Sequence, residues 1–214
     1  MYILNTALGA IMLLGSLISI AIFGADSLDA YLQIPNLTEN LTSNGPLVMC
    51  VFCALTCTTH SSISLEGKNI WILKHIPVSI KEIFFAKIMV NLTILIPTIL
   101  ISSFALIYLL KLPFISIFAL IIIPSIFALF IAGVGLLINL TYPVLNWVNE
   151  IKVIKQSMAA FLSLIVGGSV SFIPLILINK FNINIWIIGG LYLIITILVY
   201  KVLFTKGKNL FYKL

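Results

Sequence analysis

Few residues in this chain have side chains able to work on a metal, a thiol or a proton. They are Cys50, Cys53 and Cys57, His60 and His75, six acids and twelve lysines. Cys50 and Cys53 have CxxC spacing, but with Cys57 they follow a helical period inside an apolar run that offers no polar ligands. They read as membrane packing rather than a redox or zinc motif. Neither histidine has a second ligand near it in sequence, which argues against a metal site. HExxH, GxSxG and P-loop patterns are absent, as are carboxylates paired at a fixed helical spacing. No ionisable residue lies deep in an apolar run, where it would mark a proton relay, an ion path or a membrane protease. The expectation is therefore no catalytic residue, no cofactor, no metal and no enzymatic activity. The charge instead collects in Ser61–Lys87, SSISLEGKNIWILKHIPVSIKEIFFAK, which holds Glu66, Lys68, Lys74, Lys81, Glu82 and Lys87. This is the longest stretch unsuited to lipid, and it is expected to be where an otherwise buried protein meets a soluble partner.

The elements that must position this stretch follow from composition. The chain has 214 residues, 62% hydrophobic and only 8% charged, with a mean hydropathy of +1.24. A soluble domain carries about 25% charged residues, so an all-α, multi-pass membrane protein in a lipid bilayer is expected, without a separate soluble domain. The net charge of +6 has no basic face on which to gather, so nucleic acid is not an expected partner. All twelve basic residues are lysine; with abundant Ile and Asn this points to an AT-rich bacterial genome and hence to a bacterial plasma membrane.

Six apolar runs divide the chain into a single transmembrane domain, 1–214, with spans at about 2–23, 46–62, 83–110, 114–140, 158–179 and 185–204. The first is too long for a signal-peptide core and has no basic start. Lysines 68, 74, 81, 87, 152, 155, 201, 206, 208 and 213 fall on one side, and only Lys111 and Lys180 on the other. The positive-inside rule then puts both termini, the 61–87 stretch and the 141–157 loop in the cytoplasm. Pro97, Pro124 and Pro174 lie within spans. Small residues (Ala128, Ala132, Gly133, Gly135, Gly167, Ser171, Gly189 and Gly190) permit close helix contact, read here as packing within one chain.

Within the charged stretch, Ser64 is a candidate N-cap for a short interfacial helix running to Ile76, with Trp71 at headgroup level. Pro77 ends that helix, and Ser79-Ile-Lys-Glu82 has the pattern of a capping box that starts the third span. An ordinary amphipathic connector would satisfy the same composition. In the 141–157 loop, Pro143 stops the fourth span, Trp147 marks an interface, and Glu150 is placed to pair with Lys155 or with a lysine of the 61–87 stretch. Thr205–Leu214 reads as a basic tail.

Three blocks of residues carry a resemblance. Ser64-x-Glu66-Gly67-Lys68-Asn69-x-Trp71-x-Leu73-Lys74-x-x-Pro77-x-Ser79 resembles the first cytoplasmic loop of bacterial type-2 ATP-binding-cassette (ABC) permeases of the exporter kind. Asn139-Leu140-x-x-Pro143-x-x-x-Trp147-x-Asn149-Glu150-x-x-x-x-Lys155-Gln156-Ser157 is similar to the loop after the fourth span of the same proteins, and the opening Tyr2-Ile-Leu-Asn5-Thr6 to the start of a span. The resemblance covers most of the chain and implies the permease subunit of an exporter driven by a separate ATPase. It implies that a coupling helix of about Glu66–His75 docks the ATPase through Glu66, Gly67, Lys68, Trp71 and Lys74. A second contact would run over Trp147, Glu150, Lys155 and Gln156. Members of the family carry two six-span halves. By this resemblance the chain looks like the C-terminal half, without the basic amphipathic elbow helix that the family leads one to expect before the first span, so a second permease half or a homodimer is an implied partner. The alternative expectation is a truncated or accessory membrane protein that does not transport, such as an assembly factor or a remnant. Ser102, Ser103, Ser125, Ser169 and Ser171 are the polar points in the spans, and they identify no substrate.

Overall fold

Apolar runs of this length can satisfy their peptide groups in lipid only by closing them into helices. The computed structural model describes residues 7–24, 37–181 and 183–214, and among these there is no strand. In chain order the helices are α1 (Leu8–Phe23), α2 (Leu37–Ala54), α3 (Thr59–Ser62), a 3-10 segment (Ser64–Asn69), α4 (Ile70–His75), α5 (Ile80–Leu110) and α6 (Ser116–Thr141). They continue with α7 (Glu150–Lys155), α8 (Met158–Phe181), α9 (Ile185–Val202), a π-helical turn (Leu203–Gly207) and α10 (Lys208–Lys213).

Four helical runs are long and apolar enough to cross a membrane: Ile80–Leu110, Ser116–Thr141, Glu150–Ile178 and Ile185–Lys213. Their outer faces expose large apolar side chains, among them Phe104 on α5, Phe161 and Phe172 on α8, and Leu191 and Leu198 on α9. Surface of that kind and extent suits hydrocarbon rather than water. The chain is by these measures a helical membrane protein. The start of the expected first span, 2–6, lies outside the described residues, as does most of the loop expected at 24–45, whose last part is already helical in α2.

The core is built around α6, which packs against α2, α3, α5, α8 and α9. A helix that is apolar all round belongs at the centre of a bundle, and α6 buries Phe127, Ile131 and Leu136 completely. Its small residues explain how neighbours come so close. A methyl group on Gly135 would sit 2.5 Å from Cys57 Sγ and from Thr59 Oγ1, so the chain after α2 can lie against α6 only because this position has no side chain. Gly133 faces Tyr200 of α9, Gly167 faces Ile131 and Ala54, and Gly189 faces Ile123. These small residues serve contacts within the chain, whereas Gly190 and Gly168 meet nothing. Cys50, Cys53 and Cys57 are free and buried in the core.

Three boundaries differ from expectation. The second span, expected over 46–62, leaves the helix at Ala54. The residues after it are Leu-Thr-Cys-Thr-Thr, and threonine hydroxyls compete with the helical ladder for backbone partners. Thr56 Oγ1 accepts from Ala10 N at 2.8 Å, and the Thr58 amide is taken by Asn91 Oδ1 at 2.8 Å. The first turn of α1 thus finds a partner in the break itself. The expected sixth span, 185–204, does not give way to a tail at Thr205: α9 passes through the π turn into α10, and Phe211 is buried edge-on against Phe84, with ring centroids 5.9 Å apart. The third difference is at Ser64 and concerns the site.

The capping box stands as read. Ser79 Oγ accepts from Glu82 N at 3.3 Å and Glu82 Oε2 from Ser79 N at 2.8 Å. Ser79→Ala is expected to cost about 1 kcal/mol, measured as a lowered thermal midpoint in detergent. Ser116→Ala, at a helix start with no side-chain cap, should leave the midpoint unchanged.

Candidate functional site

The charged stretch begins inside the bundle. Thr56, Thr58, Thr59, Ser61 and Ser64 are all almost fully buried, so the expected water-facing segment is exposed only beyond Gly67. Buried backbone outside a helix must find hydrogen-bond partners, and two asparagines on neighbouring helices supply them. Asn91 of α5 accepts from both the amide and the hydroxyl of Thr58, at 2.8 and 3.1 Å. Asn139 of α6 accepts from Ile63 N and Ser64 N at 2.8 and 3.1 Å, and its Nδ2 donates to Ser64 Oγ at 2.7 Å.

Ser64 is therefore a junction and not the N-cap of a helix to Ile76. Its hydroxyl also accepts from Val144 N at 3.0 Å, and its carbonyl accepts from Trp147 Nε1 at 2.7 Å. With its hydroxyl and carbonyl engaged by the 139–147 segment, the chain runs as a 3-10 segment, which has no side-chain cap. Gly67 then breaks it with φ 53° and ψ −131°, a conformation open to glycine and strained for other residues. The Trp147 ring lies against Gly67; a methyl there would sit 3.1 Å from Nε1. The helix expected over Glu66–His75 is thus two pieces, the 3-10 segment and α4. Ile76 turns extended ahead of Pro77 to end the second piece.

The expected site residues fall into three settings. Glu66, Gly67 and Trp147 belong to the junction, where Glu66 pairs with Lys87 of α5 while both remain partly exposed. A pair this exposed contributes under about 1 kcal/mol. Lys68, Trp71 and Lys74 project from the far side of Gly67 and are exposed, Trp71 to 58%. The Trp71 ring meets His75 edge-on at 5.9 Å. Glu150, Lys155 and Gln156 are exposed on α7 and just after it. The expected pairing of Glu150 does not form: among the described residues the one ion pair is Lys87–Glu66. Asn149 Oδ1 instead accepts from Ile151 N at 2.9 Å, which caps α7. α7 packs against the 3-10 segment and α3, and His60 Nε2 lies 3.0 Å from the Ile154 carbonyl. The two loops therefore form one continuous surface.

No protein-family model, curated protein or solved structure matches this chain. The site must then be judged on its own geometry. No group of three or more His, Cys, Asp or Glu side chains among the described residues is placed to hold a metal. The arrangement is mechanical: a hydrogen-bonded joint between two loops, with Lys68 just past Gly67 and an exposed aromatic and a second lysine, Trp71 and Lys74, on the short helix α4 beyond it. Asn91 and the buried threonines were not singled out by the sequence reading. A lone amide in the run FFAKIMVNLTILI was the available signal, because an amide in an apolar span must find a partner.

Proposed function

We propose that this chain is the permease subunit of an ABC-type exporter in a bacterial plasma membrane. In this reading it has six spans with both termini cytoplasmic, and it is driven by a separate ATPase docked on the surface formed by the 61–87 and 141–157 loops. The supporting observation is the Ser64–Asn139–Trp147 joint, because it ties together the two loops whose residues resemble that family. A partner pushing on exposed Trp71, Lys68 or Lys74 would move α4 as a lever. The joint at Gly67 would pass that motion directly to α6 through Asn139 and to α5 through Asn91 and the Glu66–Lys87 pair. A loosely tethered connector would dissipate the same push. ATP hydrolysis belongs to the partner, and a second permease half or a second copy of this chain completes the pathway.

The experiment is co-purification in mild detergent from the native cell. A stoichiometric ATPase should accompany the chain, and Trp71→Ala combined with Lys68→Glu should weaken its retention roughly 30-fold or more, the loss expected of a central aromatic anchor. Lys111→Gln, on the opposite side, serves as the control. An ATPase held equally well by the double variant would remove α4 as the docking element. No ATPase with the wild-type chain would favour an accessory, non-transporting role.

A further inference from the structure

A groove of about 560 Å³ lies outside the joint, between α4, the start of α5 and α10. Leu73, Ile80, Ile83 and Phe211 give it an apolar lining, while Lys74, Lys81 and Lys208 bring three cations to it. The π turn lies just before the C-terminal residues that line the groove. It continues the helical run of α9 into α10, where Phe211 packs on Phe84 and Lys208 and Tyr212 line the groove. π turns recur at functional sites.

Among the described residues no acid pairs with these lysines. Glu82 is the acid nearest in sequence, but its carboxylate accepts from the Ser79 amide, and it lines an adjoining pocket that shares Leu73, Val78 and Ile83 with the groove rather than the groove itself. Glu66 is occupied by Lys87. Lys81 also heads a stripe of residues four apart on α5, Lys81, Phe85 and Met89, which share one helix face. Phe85 and Met89 are exposed, Phe85 to 61%. Cations at the end of a membrane-length helix, followed down one face by bare apolar side chains, match a ligand with an anionic head and a hydrocarbon tail.

We propose that this groove binds the headgroup of an anionic phospholipid. The phosphate meets Lys74, Lys81 and Lys208, and an acyl chain runs along Phe85 and Met89. Basic pockets between membrane helices take anionic headgroups through the same charge complementarity. The proposal does not depend on an ATPase partner, since it requires only that the chain sits in a bilayer.

The test uses the full chain purified in detergent, exposed to dimyristoyl phosphatidylglycerol or dimyristoyl phosphatidylcholine. Retained lipid is counted by native mass spectrometry. Phosphatidylglycerol should be retained in preference to phosphatidylcholine, and Lys81→Gln and Lys208→Gln should each weaken its retention about fivefold. Lys152→Gln with Lys155→Gln, equally basic positions on α7, should change nothing. Equal retention of the two lipids would overturn the proposal, as would an equal loss in the α7 control, which would mean diffuse attraction to positive charge. Competition by inorganic phosphate as effective as that by phosphatidylglycerol would also overturn it, by assigning the groove to a free anion. The two single variants change exposed or half-exposed side chains, and gel filtration confirms that each is folded before lipid is added.

Discussion

Asn139→Ala is expected to lower the stability of the protein by about 3 kcal/mol, because each buried donor left unpaired costs about 1–3 kcal/mol. The Ile63 and Ser64 amides both depend on Asn139 Oδ1, and the residues around them are sealed from solvent. The Ser64 hydroxyl would still accept from Val144 N, so the loss is less than complete. The measurement is unfolding in detergent, followed by the thermal midpoint. Ser64→Ala should cost less, since it leaves the two amide bonds to Asn139 in place. The double variant should fall short of the sum by about 1 kcal/mol, the coupling expected of residues in one hydrogen-bond network. A midpoint within experimental error of wild type for Asn139→Ala would mean that the two loops are held together by something other than this joint.

Gly67→Ala is the second substitution with a large expected effect, and it acts through the backbone. At φ 53° and ψ −131° an alanine is strained by about 1–3 kcal/mol. Its methyl group would also press on Trp147 Nε1 and on the Leu145 carbonyl, at 3.1 and 3.3 Å. The Trp147–Ser64 hydrogen bond would have to lengthen or the 3-10 segment would have to unwind. A thermal midpoint lowered by the equivalent of about 3 kcal/mol is expected, together with reduced retention of any partner that binds α4. Lys68→Ala, one residue on and exposed, should stay within about 0.5 kcal/mol. If both substitutions were equally mild, the Gly67 backbone would not be the hinge on which α4 is carried. If Gly67→Ala destabilised the protein yet left partner retention intact, the joint would be structural and the docking surface would lie elsewhere.

Both effects centre on a region where the sequence alone pointed the wrong way. A serine followed by a helical pattern reads as an N-cap, and Ser64 fits that pattern until its real partners are known. Those partners, Asn139, Val144 and Trp147, lie 75 to 83 residues further along the chain, and no local rule reaches that far. The same holds for the second span. Its apolar and small residues run on past Ala54, but Thr56 and Thr58 find better partners in α1 and α5 than a continued helix would offer. The C-terminal residues read as a tail because their lysines are conspicuous, and Phe211 could be placed only once Phe84 was known to face it.

What the sequence by itself determined is the helical, membrane-bound character of the chain, because a low charge content and long apolar runs leave the backbone no other way to be satisfied in lipid. It also determined the local punctuation: the Ser79–Glu82 capping box and the stop at Pro77 depend only on neighbouring residues. The tertiary structure alone decided which polar groups meet inside the bundle. It decided that Asn91 and Asn139 would hold an unwound segment in place, that Gly67 would break the expected coupling helix, and that α10 would lie beside α4 and the start of α5 to line a cationic groove. These outcomes rest on contacts between residues far apart in the chain, whose geometry is set by the packing of α6 against its neighbours.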